Sequence, residues 1–418
     1  MQQRKVVTAG IIGCGTVGMG VVKLLQKGFG RREGVEVRIK TIIDKNTKIT
    51  KYPEINYSTD VNDIIHDPSI TIGIELIGGY EPAFTIQKRI LESGKHLVTA
   101  NKAIISKYGP ELFSLAQLKG LSIGYEASVC GSIPIIHVLS QSMPNRIKSI
   151  LGIVNGSTNY ILSRMETQEY KSALEEAQYK GFAEKDPRFD VEGLDSAQKL
   201  AILTQIVFHR FVNPDDIYTE GITHIQKADI DYARELGYVI KLLAIARNGT
   251  RLELRVHPTM IPCRHFLASV RDEFNAVYID GEATAPQMYL GKGAGQMPTA
   301  NSVVSDLINI ASGVIYSPPA YKKHTTGLLK REEVRTEYYL RFTVRDKPGV
   351  LAKISQILGD HKISIALVVQ KGSGYAVPLV LITHLTREGA MMEALPKIEK
   401  LGVVHGRPVV IRVMNQRD

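Results

Sequence analysis

Tryptophan is absent, and only three cysteines, Cys14, Cys130 and Cys263, occur in 418 residues. An odd number of widely spaced cysteines offers no disulfide framework and fits a reducing compartment. No apolar run approaches the roughly 18 residues that a membrane-spanning helix needs. The opening MQQRKVVTAGIIGCG lacks a signal-peptide pattern, because its apolar stretch leads straight into a glycine turn. A cytoplasmic protein is expected, with no membrane partner. Aromatics make up only 7% of the chain, and the basic residues form no long tract. The formal net charge of +10 is therefore not read as a nucleic-acid interface, and a diffuse basic surface suits the handling of small anions. What is present is ordinary for a soluble globular chain: 44% hydrophobic and 22% charged residues, over a length that implies two to three domains.

Strand and helix signals alternate through the first third. Residues 6–12 (VVTAGII) and 35–43 (VEVRIKTII) read as strands, and 17–27 has helical spacing, with Val17, Val21, Leu24 and Leu25 on one face. Strands at 71–78, 96–100 and 121–127 and helices near 82–93 and 109–118 follow. This alternation predicts a Rossmann-type, doubly wound parallel sheet over residues 1–128. From 129 the pattern changes to two amphipathic helices, 169–180 and 195–209, then strand-like runs at 252–256, 265–270 and 275–280, an α+β unit ending near 298. A helix at about 299–320 is expected to rejoin the first domain. Residues 313–335, with two prolines and many charges, read as a linker. The rest, 336–418, shows a βαββαβ pattern, the ferredoxin-like arrangement.

Gly13, Gly15 and Gly18 form G-x-G-x-x-G between a strand and a helix, and Asp44 ends the next strand. This context predicts a dinucleotide site. The turn Gly13, Cys14, Gly15, Thr16, Val17, Gly18 would bring backbone amides to the pyrophosphate at the helix start. Asp44 would bond an adenine-ribose hydroxyl, favouring NAD. Lys45, Lys48 and Lys51 follow closely and would suit the 2′-phosphate of NADP, so both cofactors stay open.

Further along stand LVTANKA (97–103), YEASVCGSIPII (125–136), GIVNGSTNYIL (152–162), GFAEKDPRFDVEGLDSAQKLAIL (181–203) and GKGAGQMPTANSVVSDL (291–307). These segments resemble the homoserine dehydrogenase family, in its order, across residues 1–320. The resemblance implies reversible reduction of L-aspartate 4-semialdehyde to L-homoserine. It implies Lys199 as proton donor and Lys102 as its partner at the nicotinamide. It implies Glu184 and Asp195 as substrate ligands, with Asp190 and Thr158 beside them. Gly78, Thr99, Gly181 and Gly295 would join the cofactor contacts. The spacing agrees in part: Asp195 and Lys199 are four apart on a predicted helix and share a face. An exposed pair of no catalytic weight is the plain alternative. Asn155–Thr158 is either a substrate-contacting segment or an ordinary turn, and Phe182 stands where relatives carry tyrosine. A bound sodium ion is also implied, held by Glu126 and the main-chain oxygens of Val129, Gly131 and Ile133.

A rival chemistry, aldehyde oxidation through a thiohemiacetal, needs an activated cysteine. Cys130 lacks a neighbouring histidine until His137 and reads as a small buried residue. Residues 336–418 resemble an ACT domain on FTVRDKPGVLAKISQILGDHKISI (342–365). The resemblance implies an effector site at Asp346, Lys347, Pro348 and Gly349, with threonine as the expected effector. It also implies a homo-oligomer, a dimer or tetramer. Another amino-acid dehydrogenase, or a non-catalytic sensor on a relic Rossmann fold, are the competing readings.

Overall fold

A computed structural model describes residues 5–32, 34–45, 52–141, 146–314 and 327–414. Lys48, Lys51 and the 315–326 part of the expected linker lie outside them. Two compact units are formed, one from segments within 1–147, 197–217 and 275–324, the other from segments within 148–196, 218–274 and 325–418.

In the first unit the strand Lys5–Ile12 is central. Its parallel neighbours are Val35–Ile43 on one side and Ile72–Glu75 on the other. The sheet continues in parallel through Asn56–Ser58 at the first edge and through His96–Thr99 and Ile123–Gly124 at the second. Numbering these six by chain position gives the order 3-2-1-4-5-6 of a Rossmann sheet. The carboxyl-terminal parts of the strands Lys5–Ile12 and Val35–Ile43, namely Ala9–Ile12 and Thr41–Ile43, are buried on both faces, as a parallel sheet requires. The crevice for a ligand in such a sheet opens where the order reverses, at the carboxyl end of Lys5–Ile12. The helix Gln296–Ala311 packs on the helix Thr16–Gln26: a Cβ on Gly20 would sit 2.9 Å from Ala300 Cβ.

Three local expectations are corrected. The helix expected near 109–118 starts at Lys102 and runs to Leu118. Asn101 caps it by accepting from the Ile104 amide at 3.2 Å. Pro110 lies inside and cannot donate to the Ser106 carbonyl, and that carbonyl accepts instead from Gln205 Nε2 at 3.2 Å. The strand expected at 121–127 is only Ile123–Gly124, followed by the 3-10 turn Glu126–Ser128. The run 265–270 is the 3-10 turn Phe266–Ser269, because His265 Nδ1 accepts from the Leu267 amide at 3.1 Å and caps it.

The second unit is built on one continuous sheet. The long antiparallel hairpin Tyr238–Asn248 and Leu252–Pro262 is flanked by Ile147–Ile153. On its other side the sheet continues directly into the C-terminal module, because Thr259 and Met260 pair in parallel with Arg412 and Val413 of the strand Val404–Val413. Next come Arg335–Val344, Val377–Thr383 and Ile365–Gln370, all antiparallel. Numbered by chain position within the module, these four strands lie in the order 4-1-3-2 expected of a ferredoxin-like βαββαβ unit, with the helices Val350–Asp360 and Glu388–Glu399 completing it. Residues 327–335 are not free chain: Leu329 donates to the Leu252 carbonyl at 2.9 Å, and Arg251 forms a two-pronged ion pair with Glu333.

Buried ion pairs seal this join. Arg341 Nε lies 2.6 Å from Asp229 Oδ1, where Asp229 belongs to the helix Lys227–Glu235, and the Tyr339 hydroxyl donates to the same oxygen at 3.0 Å. Arg412 reaches Glu388 at 2.5 Å and Glu220 at 2.6 Å.

Candidate active site

The glycine turn is shaped as its sequence demands. Gly13 adopts φ +93, and a Cβ there would meet the Leu76 carbonyl carbon at 2.9 Å. A Cβ on Gly18 would lie 2.5 Å from the Gly13 oxygen, so only glycine lets helix and turn approach this closely. A Cβ on Gly15 would meet nothing within 4 Å. That open room lies at the start of the helix Thr16–Gln26, whose first turn has no side-chain cap. Unsatisfied amides and the positive end of a helix dipole beside free space fit a pyrophosphate. The Cys14 amide is not among the free donors, since Asp44 Oδ2 accepts from it at 2.6 Å. Asp44 thus ties its strand end to the glycine turn, and exposed Lys45 follows it. Burial, with Asp44 adding to it, pushes the Cys14 thiol up to about 11 and keeps it protonated. Gly295, at φ +121, precedes the helix Gln296–Ala311, and Gln296 Nε2 donates to the Thr16 carbonyl at 2.9 Å.

Sequence reasoning missed Glu75. This carboxylate ends the strand Ile72–Glu75 and is fully buried. Its Oε1 accepts from the Ile77 amide at 2.7 Å and the Gly78 amide at 3.2 Å. Its Oε2 accepts from Gln87 Nε2 at 2.5 Å and the Thr99 hydroxyl at 2.9 Å. Gly78 and Thr99, both expected at the cofactor, are therefore organised by one buried carboxyl group. The available signal was a lone carboxylate in an apolar strand run, IGIEL. Two residues beyond Thr99, Asn101 donates to the Gly79 carbonyl at 2.8 Å, which places half-buried Lys102 at the first position of its helix.

Lys199 and Asp195 both lie on the helix Leu194–Phe208, one turn apart. Lys199 is only 8% exposed and Asp195 only 1%. The plain alternative of an exposed pair is therefore set aside. The helix of Lys199 and the helix of Lys102 are joined by the Gln205 to Ser106 hydrogen bond.

Asp195 is held by Asn155, whose Nδ2 donates to Asp195 Oδ2 at 2.8 Å and to Asp190 Oδ1 at 2.7 Å. The other end of the same amide caps the helix Gly156–Arg164, Oδ1 accepting from the Thr158 amide at 2.8 Å. Residues 156–158 are thus the first turn of a helix rather than a plain turn. Ser157 Oγ lies 2.5 Å from the Phe182 carbonyl and 2.9 Å from Asp190 Oδ2, and its single proton serves one acceptor at a time. Buried Thr158 turns its hydroxyl to the Asn155 carbonyl at 3.1 Å. Gly181, at φ +75, and Glu184 lie exposed on the adjoining loop, and the Phe182 ring packs 4.7 Å from that of Tyr160.

Glu126 is buried, and burial raises its carboxyl to about 7. Its two oxygens each accept a backbone amide at 2.8 Å, from Ile136 and His137. The Gly131 carbonyl accepts from the Ser302 hydroxyl at 2.6 Å, and the Ile133 carbonyl from the Ile135 amide at 2.7 Å. Cys130 is buried at φ +56. In the C-terminal module, residues 346–349 form an exposed turn, and Gly349 at φ +86 leads into the helix Val350–Asp360.

A Rossmann sheet with an uncapped glycine-turn helix is the scaffold of a nicotinamide-dependent oxidoreductase. Family models describe residues 13–126 as a homoserine dehydrogenase NAD-binding domain, 134–308 as homoserine dehydrogenase and 338–403 as an ACT domain. The homoserine dehydrogenase of Synechocystis sp. (strain PCC 6803) is 42% identical over 98% of the chain and 100% of that protein. The crystal structure of a homoserine dehydrogenase from Thiobacillus denitrificans superposes with a TM-score of 0.93 at 41% identity, covering 99% of this chain and 100% of that one. A hyperthermophilic archaeal homoserine dehydrogenase mutant in complex with NADPH covers 74% of this chain and 98% of its own, at 26% identity and a TM-score of 0.64. The chain belongs to the homoserine dehydrogenase family. Its reaction is the reversible, NAD(P)H-dependent reduction of L-aspartate 4-semialdehyde to L-homoserine, in the supply of threonine and methionine. Among the described residues, no helix is long and apolar enough to cross a membrane.

Proposed function

We propose that Lys199 is the proton donor of this reduction and Lys102 its electrostatic partner. A dinucleotide held at Gly13, Gly15 and Gly18 would supply a hydride for the aldehyde carbon. The Lys199 ammonium gives its proton to the oxygen that gains negative charge, yielding the hydroxyl, and water restores the ammonium. Lys102 polarises the carbonyl before transfer. Asp195 and Glu184 hold the ammonium of the substrate, with Asp190 and Thr158 shaping the loop around it. The observation that carries this reading is the near-complete burial of Lys199 one turn from Asp195, itself fixed by Asn155. A buried lysine is costly to keep without a task.

The same reading places the pyrophosphate at Gly13, Gly15 and Gly18, with Thr16, Val17 and Gly295 around it. Asp44 and Lys45 offer acceptance of NAD and NADP respectively. Glu126 with the carbonyls of Val129, Gly131 and Ile133 is an all-oxygen set, the donor chemistry that a hard cation such as sodium takes. The oxygens of Glu126, Gly131 and Ile133 already accept hydrogen bonds, yet each retains a lone pair. The turn Asp346, Lys347, Pro348, Gly349 is the proposed threonine site of a cytoplasmic homo-oligomer.

The test is a steady-state assay at 340 nm with homoserine and either NAD or NADP, repeated with threonine and with sodium exchanged for lithium. Turnover with at least one cofactor is expected, with inhibition by threonine and dependence on the cation. Turnover that ignores threonine overturns the regulatory part, and turnover that ignores the cation overturns the sodium site.

A further inference from the structure

Within the second compact unit a cavity of about 460 Å3 lies between the helix Glu388–Glu399, the strand Val404–Val413 and the segment from Glu220 to Gln226. This is a size in the range of small-molecule sites. None of the four residues of the 346–349 turn lines it.

Its walls differ in chemistry. Met391, Met392 and Leu395 share one face of their helix by three- and four-residue spacing and form an apolar side. Glu388, on the same helix, pairs with Arg412 at 2.5 Å, and both are almost fully buried. Arg412 also holds Glu220 at 2.6 Å, and Arg331 holds Glu388 at 2.7 Å. With Arg407, three guanidiniums meet two carboxylates around the cavity. His224, 3.3 Å from Glu220, does not change that balance, because burial lowers its pKa and keeps it neutral at physiological pH.

Two donors remain over. Arg407 is exposed at the cavity and forms no ion pair among the described residues. The Tyr338 hydroxyl also lines the cavity. Tyr338 is 1% exposed, and its hydroxyl stands beside the Glu388 carboxylate without reaching full hydrogen-bond geometry with any group among the described residues. A buried phenol without a partner is costly unless a ligand or water satisfies it.

We propose that this cavity binds an apolar α-amino acid, with its carboxylate on Tyr338 and Arg407, its ammonium toward Glu220 and its side chain against Met391 and Leu395. An amino acid seated there touches the C-terminal module and the Glu220 segment at once. The site is independent of whether the 346–349 turn holds an effector.

Calorimetric titration of the full-length protein with L-leucine, L-methionine and L-methioninamide tests it. Saturable binding of leucine or methionine is expected, with the amide, which lacks the carboxylate, at least about tenfold weaker. Tyr338→Phe keeps the ring and removes one hydroxyl beside Glu388, whose ion pairs with Arg412 and Arg331 remain, so it should fold as the parent does, and Arg407→Ala alters an exposed side chain. Each is expected to weaken binding about five- to tenfold, whereas Asp346→Ala leaves it unchanged. Absence of saturable heat up to roughly 10 mM ligand, or binding untouched by both Tyr338→Phe and Arg407→Ala, overturns the proposal. Loss of binding in Asp346→Ala alone overturns it too and moves the ligand to the turn.

Discussion

Asn155 holds Asp195 at 2.8 Å with the same amide group whose oxygen caps the helix Gly156–Arg164. Fold and chemistry thus depend on one side chain. Asn155→Ala is expected to cost roughly 1–3 kcal/mol through the lost cap and the abandoned carboxylates, and to lower kcat/KM with homoserine. Asn155→Asp should do worse, since it sets a third carboxylate against Asp190 and Asp195. Denaturant midpoints and steady-state rates check both; an Asn155→Asp enzyme with parental kinetics contradicts the arrangement.

Lys199→Ala should cut kcat at least ~100-fold while dinucleotide affinity persists, the usual scale of a lost general acid. Lys199→Arg should not rescue it, because a guanidinium stays protonated and donates poorly. Cofactor fluorescence titration alongside kcat separates binding from chemistry. An active alanine variant removes Lys199 from the mechanism.

Glu75 satisfies four donors from a fully buried position. Glu75→Ala leaves them all without their acceptor and should destabilise by roughly 2–3 kcal/mol. Because Gly78 and Thr99 lose their common anchor, KM for the dinucleotide should rise more than KM for homoserine. Equal changes in both would mean that Glu75 serves stability alone.

Lys241 is buried on the strand Tyr238–Asn248, donating to Asn159 Oδ1 at 2.9 Å and to the Val270 carbonyl at 2.5 Å. Burial above all, with Arg271 adding to it, pulls its ammonium down to about 8 from an ordinary 10.5. Between these values the unfolded chain binds the extra proton, so this group's contribution to stability grows as pH rises from about 8 and is lowest below it. The difference in unfolding free energy between the parent and Lys241→Met should therefore increase across that window, by up to roughly 3 kcal/mol. A flat difference in a pH series of chemical denaturation would show that Lys241 does not titrate there.

Asp229→Ala strands the Arg341 guanidinium in the interior and should cost about 3–5 kcal/mol. Thermal unfolding would report it. A shift confined to the C-terminal module, with the hairpin Tyr238–Pro262 still protected in hydrogen exchange, would indicate that the shared sheet is less cooperative than its pairing suggests.

Periodicity carried much of the architecture. The strand Val35–Ile43 and the helices at 170–179 and 194–208 are readable because their apolar residues recur at the period of the element. Where tertiary partners override local preference, reading fails. Gly109 and Pro110 argue for a break, yet Gln205, distant in sequence, supplies the missing hydrogen bond and the helix runs through. The strand Tyr238–Asn248 carries Lys241 in its middle and so hides its apolar character. At the site, Lys199 and Asp195 stood out by spacing and family pattern. Glu75 did not, because one carboxylate in an apolar run gives no hint of the four donors that converge on it. The pairing of Arg412 with Glu220 and Glu388 joins segments whose proximity only the sheet reveals.

The parallel pairing of Thr259 and Met260 with Arg412 and Val413 has a temporal meaning. During synthesis the strand Leu252–Pro262 emerges long before the partner that covers its edge. Until Val404–Val413 arrives, the Thr259–Met260 end of that edge, beyond the part that Tyr218–Thr219 covers, presents unpaired amides and carbonyls to any neighbouring chain. The nascent polypeptide is exposed to mispairing at this edge in that interval, and a chaperone that shields Thr259 and Met260 would act there.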